Sequence, residues 1–230
     1  MAKKICGILL ILLAAITVYG GTLPGNQINV LSWIAIVLFV SSGILLILYD
    51  GGASTHPHTL YKRRKVLNKL LVFLLVISII LLIVAAFGVG FLFALMDEPV
   101  MILIMVFSLV LYAFPAVVLG ITFGSNVLPY SACRKHIPGY ETLVDKTLVC
   151  DKDLVPCSAD RSVMTNDKVL YFPRQCCLIP FEMIESCKYA NPLKIEPDVF
   201  FKLVNGKTIL IVNKNFDDIR AAIDARKSNP

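Results

Sequence analysis

The chain has 230 residues, of which 57% are hydrophobic and only 17% are charged, and its formal net charge is +6. Soluble domains are typically nearer half apolar and a quarter charged, so this composition argues against a wholly soluble chain. The balance of Lys and Arg over Asp and Glu is +4 up to Pro129 and +2 from Tyr130 onward. The C-terminal part is therefore nearly neutral and lacks the basic stripe of a nucleic-acid-binding domain, so we expect no nucleic-acid partner.

The first half contains four apolar stretches without a charged residue, at about 5–20, 30–49, 70–95 and 100–123. A helix needs about 20 such residues to cross a bilayer core of roughly 30 Å, and only the first stretch falls slightly short. We therefore predict a bundle of four transmembrane helices over residues 1–123. The first stretch also resembles a signal peptide, but no A-x-A cleavage site stands out, so a retained span is the favoured interpretation.

Basic residues flank the spans on one side only. Lys3 and Lys4 precede the first span, and the second loop carries a basic cluster, Lys62, Arg63, Arg64, Lys65 and Lys69. Because Lys and Arg are retained in the cytoplasm, the N-terminus, the second loop and the C-terminal domain are predicted to be cytoplasmic, in a bacterial inner membrane. The basic cluster fixes this topology, and its alternative role is to bind anionic lipid head groups, at about 1 kcal/mol per residue.

The predicted spans contain no Asp, Glu, Lys, Arg or His. Such residues usually mark proton relays or substrate pathways, so a membrane anchor is favoured and a channel or transporter subunit is the weaker alternative. Gly120 and Gly124 form a small-xxx-small pair in the fourth span. This pair predicts close helix packing, either within one bundle or between two copies in a homo-oligomer.

After a predicted juxtamembrane linker at 124–141, the pattern changes to short apolar runs separated by turn residues, as in a small sheet or barrel. Asn205-Gly206 predicts a type I′ hairpin turn, since both positions need positive φ. Asn215 is a suitable N-cap for a final amphipathic helix at 216–227, with Phe216, Ile219, Ile223 and Arg226 on one face. The predicted strands are 147–150, 162–164, 169–172, 176–179, 184–189, 193–195, 199–204 and 208–212.

Three segments carry a resemblance to a known family: residues 162–172, the Ile-Pro step at 179–184, and the hairpin at 199–212 that runs into Asn215-Phe-Asp-Asp-Ile. Together they resemble the bacterial pleckstrin-homology-like (PH-like) domains that are attached to membrane spans. The resemblance covers about 100 residues and implies a PH-like β domain at 142–230, with a bent antiparallel sheet closed by the C-terminal helix. It also implies an interaction or scaffolding module.

Six of the seven cysteines lie in the C-terminal part: Cys133, Cys150, Cys157, Cys176, Cys177 and Cys187. In a cytoplasmic domain they are expected to be free thiols, whereas disulfides would indicate an extracytoplasmic domain. No C-x-x-C pair occurs, and His56 with His58 is too small a set for a metal site, so no metal is expected.

No enzyme motif is complete. Gly206-Lys207-Thr208 has the ending of a P-loop, but Phe201 stands where its first glycine belongs. Cys133 and His136 lack an orienting partner for nucleophilic catalysis. We therefore expect no catalytic residue and no cofactor.

The sequence thus predicts a non-enzymatic integral membrane protein whose cytoplasmic domain binds a protein partner. Scaffolding, regulation, or immunity-type neutralisation of a membrane-active partner would each fit this prediction. The alternatives are a lipid-binding or lipid-handling module and, less favoured, a channel or transporter subunit. The expected partners are membrane lipids, a protein, and a second copy of the chain.

Overall fold

The computed structural model describes residues 2–22, 30–50, 57–93, 99–150, 154–190 and 198–227. The chain divides into two compact units. The first, called the helical unit, comprises Met1–Gly52 and Val66–Phe123. The second, called the β unit, comprises Ala53–Lys65 and Gly124–Pro230, so the beginning of the third helix and the end of the fourth belong to it.

Four helices occupy the N-terminal half: α1 (Ala2–Thr22), α2 (Val30–Asp50), α3 (Pro57–Phe93) and α4 (Pro99–His136). Among the described residues, three segments are long and apolar enough to span a membrane: Ser32–Tyr49, Pro57–Gly88 and Leu109–His136. Helix α1 contains the first predicted span but is not among them. A chain with apolar helices in its first half is therefore confirmed, and a bundle of four spanning helices stays a prediction.

Helices α1 and α2 approach closely where two glycines meet. A Cβ atom added at Gly43 would lie 2.6 Å from the main-chain oxygen of Gly7, and one added at Gly7 would lie 2.7 Å from that of Gly43. Residues without a side chain let helix backbones pack this tightly in a membrane. By contrast, a Cβ atom at Gly120 or Gly124 would meet nothing within 4 Å among the described residues, so the packing role of this pair stays a prediction.

Both long helices extend beyond their predicted limits. Helix α3 starts at Pro57 rather than near residue 70, because proline suits the first helical position and the residues after it are good helix formers. Helix α4 continues through Pro115 and Pro129 to His136, so much of the segment predicted as a linker at 124–141 is helical. Pro138 and Gly139 separate α4 from a short helix α5 (Tyr140–Asp145), and Gly139 has φ 63°.

The β unit contains two antiparallel sheets and a C-terminal helix, which confirms the predicted order of elements. One sheet has the order β1 (Val155–Pro156), β2 (Met164–Thr165), β3 (Val169–Phe172) and β4 (Cys177–Pro180). The other has the order β5 (Ile184–Ala190), β6 (Asp198–Leu203) and β7 (Thr208–Val212). Helix α6 (Phe216–Lys227) has the predicted bounds. These elements do not by themselves establish a PH-like fold.

Most predicted strands are present within two residues of their expected limits. The exception is 147–150, which lies in a π-helical turn (Lys146–Cys150) that continues α5. Tyr140, Val144 and Leu148 are all buried at four-residue spacing, and that helical periodicity outweighs the β propensity of the run. The predicted strand at 193–195 lies outside the described residues, as does His56.

The core of the β unit lies between the two sheets and α6. Phe172 of β3 and Phe201 of β6 pack edge to face with ring centroids 5.6 Å apart, and Ile219 and Ile223 of α6 are buried in the same cluster. All residues of β3 and β4 are buried, so that part of the first sheet is covered on both faces. The Tyr140 hydroxyl ties α5 to the turn between them: it donates to the Cys176 oxygen (2.7 Å) and accepts from the Leu178 N–H (3.2 Å).

We expect Gly43→Ala to destabilise the helical unit, because the new Cβ has no space against the backbone of α1. Overpacking of this kind typically costs about 1–3 kcal/mol in the free energy of unfolding. Unfolding of the purified protein in detergent, followed by circular dichroism, measures the change. Gly88→Ala is the matched control, since its Cβ would meet nothing within 4 Å. Equal stability of the two variants would contradict the close approach of α1 and α2.

Candidate interaction groove

An open groove runs between strand β5 and helix α6. It encloses about 490 Å³, within the range of sites that hold small ligands or side chains. Five consecutive residues of β5 form one wall and one face of α6 forms the other. The lining residues are Glu185, Ser186, Cys187, Lys188, Tyr189, Phe216, Arg220, Ile223, Asp224 and Lys227.

Strand β5 is an edge strand among the described strands. It pairs with β6 on one side, from Ile184↔Leu203 to Ala190↔Asp198, and its other side faces no described strand. An edge strand presents unpaired main-chain N–H and C=O groups, which can pair with another extended chain. A register shift between Ile184 and Ser186 marks a bulge at Glu185, whose main-chain oxygen accepts a hydrogen bond from the Lys227 ammonium (2.9 Å). Lys227 therefore closes this end of the edge, whereas Ser186–Ala190 pairs with no described strand on this side.

The floor of the groove is formed by the apolar side chains of Cys187, Tyr189, Phe216 and Ile223, whereas the other lining residues are polar or charged. Cys187 and Tyr189 lie on the same face of the sheet as the buried residues of β6 that they oppose, and Ser186 and Lys188 lie on the other face. The Tyr189 ring packs against Phe216 with ring centroids 4.8 Å apart. Ile223 is buried about two turns after Phe216 along α6. The groove thus combines open main-chain groups with an apolar floor.

Cys187 lies inside the groove, but its chemistry is not that of a nucleophile. Burial raises the pKa of its thiol to about 11, and the opposing effects of Arg220 and Asp224 change this little. A thiol that stays protonated near neutral pH is a weak nucleophile. Nothing in this environment activates the Cys187 thiol as a nucleophile.

A polar cluster holds the start of α6. Asp160 Oδ1 accepts hydrogen bonds from the Asn215 side chain (2.8 Å), the Ser158 hydroxyl (2.9 Å) and the Ser162 N–H (3.1 Å). The Asn215 amide also donates to the Ser162 hydroxyl (2.7 Å). The predicted N-cap residue thus binds the β1–β2 loop with its side chain, while its carbonyl accepts from the Ile219 N–H (3.1 Å) and begins the helix.

The same cluster shifts the titration of Asp160. Partial burial alone would raise the pKa of this carboxyl, but the hydrogen bonds from Ser162, Ser158 and Asn215 favour the charged form more strongly and lower it to about 2. Asp160 is therefore ionised at all physiological pH values and anchors α6 beside β5.

The basic cluster predicted to bind lipid does not present one continuous cationic surface. Lys62 and Lys69 are exposed, but Arg64 is only 8% exposed, and it lies near enough to Tyr171 and Cys176 to lower their pKa values against the effect of burial. Lys65 forms a salt bridge with Glu141 (3.0 Å). Arg63 is half-buried and also makes polar contacts.

Glu141 is the centre of a second cluster, at the beginning of α5. One carboxylate oxygen accepts from Lys65 (3.0 Å) and from the Tyr61 hydroxyl (3.1 Å), and the other from the Tyr130 hydroxyl (3.3 Å), with Arg134 Nε at 3.2 Å. Burial would raise the pKa of Glu141, but the Lys65 ammonium, the Tyr61 hydroxyl and the Arg134 guanidinium lower it overall. This cluster joins the first turns of α3, the end of α4 and α5 within the β unit.

The other motifs considered from the sequence do not form a site. Cys133 is fully buried on α4, and the His136 carbonyl accepts from the Asn205 side chain (2.9 Å). Gly206 and Lys207 belong to the β6–β7 turn, where Gly206 has φ 75° but Asn205 does not have positive φ. The hairpin is therefore present, but the predicted type I′ turn is wrong: the Gly206 N–H donates to the Leu203 carbonyl (2.8 Å), so Val204 and Asn205 occupy the centre of the turn. Within the described ranges, no three His, Cys, Asp or Glu side chains converge as metal ligands. The thiols of Cys133, Cys157, Cys176, Cys177 and Cys187 are free.

The residues of the groove were not predicted as a site, although Phe216 and Ile223 belong to the predicted apolar face of α6. The sequence revealed the apolar face of α6, which forms one wall of the groove. It did not reveal the other wall, because only the pairing of strands decides that β5 is an edge strand beside α6. Comparisons with protein-family models, curated proteins and solved structures give no match for this chain.

We expect Asp160→Asn to lower the free energy of unfolding by about 1–3 kcal/mol at pH 7, because it removes the charge that three hydrogen-bond donors stabilise. The folded-state pKa is depressed below the unfolded value near 4, so the contribution is complete above about pH 4 and is lost as the pH falls toward 2.

Denaturant unfolding of the two proteins between pH 7 and pH 2.5 tests this expectation, with the difference shrinking at the acidic end. Asp145→Asn is the control, because Asp145 is an exposed carboxylate at the end of α5 and its replacement should change stability by less than about 0.5 kcal/mol. A pH-independent difference would contradict the role of the Asp160 charge.

Proposed function

We propose that this chain is a non-enzymatic, membrane-anchored interaction protein whose β unit binds an extended segment of a partner protein in the β5–α6 groove. The observation that carries the proposal is an edge strand that runs beside an open groove with an apolar floor. Main-chain pairing with an exposed edge gives affinity to such complexes, and side-chain pockets give specificity. A scaffolding, regulatory or neutralising role would each use this one binding mode.

The proposed membrane orientation follows from the basic residues and from helix parity. If α3 and α4 both span, the residues before α3 and those after α4 lie on one side of the membrane, whether or not α1 spans. Lys62 to Lys69 stand at the beginning of α3, and retention of basic residues assigns that side to the cytoplasm. The hydrogen bonds from Tyr61 and Lys65 to Glu141 are compatible with this arrangement.

A lipid-binding function is the weaker candidate. It would need several cations of the Lys62–Lys69 cluster at the head groups, yet Arg64 is buried and Lys65 is paired with Glu141. Two exposed lysines, Lys62 and Lys69, would contribute about 1 kcal/mol each near an anionic surface. That is enough to favour an orientation and too little to define a lipid-binding module.

Peptide binding to the full chain tests the proposed function. We expect a displayed library of random ten-residue peptides, selected on the protein in nanodiscs of zwitterionic lipid, to yield binders that Arg220→Trp weakens at least tenfold, because a bulky ring on that wall fills the groove. Ala221→Trp is the matched control, since it places the same ring on the next, exposed residue of α6 outside the lining. No enrichment, or equal binding by both variants, would contradict the proposal.

The orientation has its own test. Lys207→Cys introduces an exposed thiol in the β6–β7 turn, whereas Cys133, Cys176 and Cys177 are buried and the pKa values of Cys157 and Cys187 are raised by burial. We expect a membrane-impermeant maleimide to label this variant only after the cells are lysed. Labelling of intact cells above the level of the unsubstituted protein would reverse the proposed topology.

A further inference from the structure

Resting on the proposed function, we infer that the partner segment is an acidic strand: it alternates apolar and polar residues and carries an Asp or Glu opposite Lys188. This inference rests on the juxtaposition of an apolar floor on one face of the β5 edge and, on the other face, Lys188, which forms no salt bridge with a described carboxylate. Three features of the groove support this ligand: the geometry of an added strand, the charges of the lining residues and the position of Lys188.

The first step concerns the geometry of an added strand. Successive side chains of an extended chain point to opposite faces of the sheet. A segment paired along Ser186–Ala190 therefore directs one set of side chains toward Cys187, Tyr189 and α6, and the other set toward the face of Ser186 and Lys188. The first set meets an apolar floor closed by Phe216 and Ile223, so it is apolar.

The second step concerns the charges that line the groove. Each lining carboxylate already has a cation: Glu185 lies 2.6 Å from Lys202 Nζ, and Asp224 lies 3.6 Å from Arg220 Nε. The lining cations, by contrast, are not all paired with a described carboxylate. No carboxylate among the described residues lies within salt-bridge distance of Lys188, and Lys227 donates to a neutral main-chain oxygen. The groove therefore has a surplus of positive charge.

The third step places the complementary charge. Residues directly opposite in neighbouring strands have their side chains about 5 Å apart, and opposite charges in such pairs are favourable while like charges are destabilising. Lys188 lies on the outer face in register with Phe200, with Lys202 on the same face opposite Ser186. A carboxylate in the outward set of the partner segment would meet Lys188 directly, and a lysine there would be repelled by both ammonium groups.

The composition of selected peptides provides the first test. From the library of random ten-residue peptides on the full chain in zwitterionic nanodiscs, we expect binders with alternating apolar residues and more Asp and Glu than Lys and Arg in the intervening positions. Peptides that bind and that Arg220→Trp weakens, but that show no acidic preference, would overturn this inference and leave the proposed function standing. The absence of any binder would contradict the proposed function itself.

A charge-swap experiment identifies the residue responsible. Lys188→Glu should weaken an acidic binder roughly 3- to 10-fold at low salt, the range expected of an exposed ion pair, and a peptide with its acidic residue changed to Lys should recover that loss. Lys168→Glu is the matched control, because it makes the same change in net charge at an exposed lysine outside the groove. Equal weakening by the two variants would show a general charge effect and overturn the assignment to Lys188.

Backbone N-methylation of a selected peptide tests the strand pairing. Only alternate N–H groups of an added strand point toward β5, so methylation at every second residue should abolish binding in one register and spare it in the other. The same response in both registers would overturn the acidic-strand assignment, because the peptide would then not be bound as a strand.

Discussion

The properties of the β unit depend on one constraint: α6 is fixed beside β5 with a groove left between them. Burial of Ile219 and Ile223 supplies the apolar part of this contact, on the order of a few kcal/mol for two fully buried side chains. Apolar burial is not directional, however, and would tolerate a helix rotated or shifted over the edge. The orientation of α6 is set by polar contacts at its two ends. At the beginning, Asn215 is hydrogen-bonded to Asp160 and Ser162. At the end, Lys227 donates to the Glu185 carbonyl and Arg226 forms a salt bridge with Asp167.

This division of roles explains why so many polar groups surround a short helix. Asp160 is one carboxylate with several donors, and its depressed pKa reflects how strongly they favour its charge. A helix of twelve residues has little stability of its own in water, so its position is decided by tertiary contacts. Polar anchors at both ends leave the middle of α6 as one wall of the groove beside β5, whose outer edge pairs with no described strand.

The Glu141 cluster has a comparable role at the other side of the β unit. The first turns of α3 and the last turns of α4 are distant in sequence, and a carboxylate of α5 accepts hydrogen bonds from both. Each exposed ion pair in such a cluster is worth little alone, but tyrosine hydroxyls and cations that share one carboxylate restrict one another. Cations that appear available for lipid in the sequence are thereby used within the protein, as Lys65 shows.

The sequence by itself determined the division of the chain into apolar helices and a β-rich part, because charge-free runs and short strands between turn residues are local patterns. It also determined particular elements: the strands at 169–172 and 208–212, and a final helix whose bounds follow from Asn215 and the spacing of Ile219 and Ile223. Periodicity and capping are set by residues a few positions apart, so they can be read without knowing the fold.

Only the tertiary structure decided which cations are used within the protein and where the groove forms. Arg64 and Lys69 look alike in sequence, yet one is buried and the other exposed. Among the described glycines, Gly7 and Gly43 lie against a facing backbone and Gly120 and Gly124 do not, because a glycine becomes a contact only when another backbone faces it. The groove has the same origin: whether β5 is central or at an edge depends on strands distant in the chain, and no local pattern encodes that pairing.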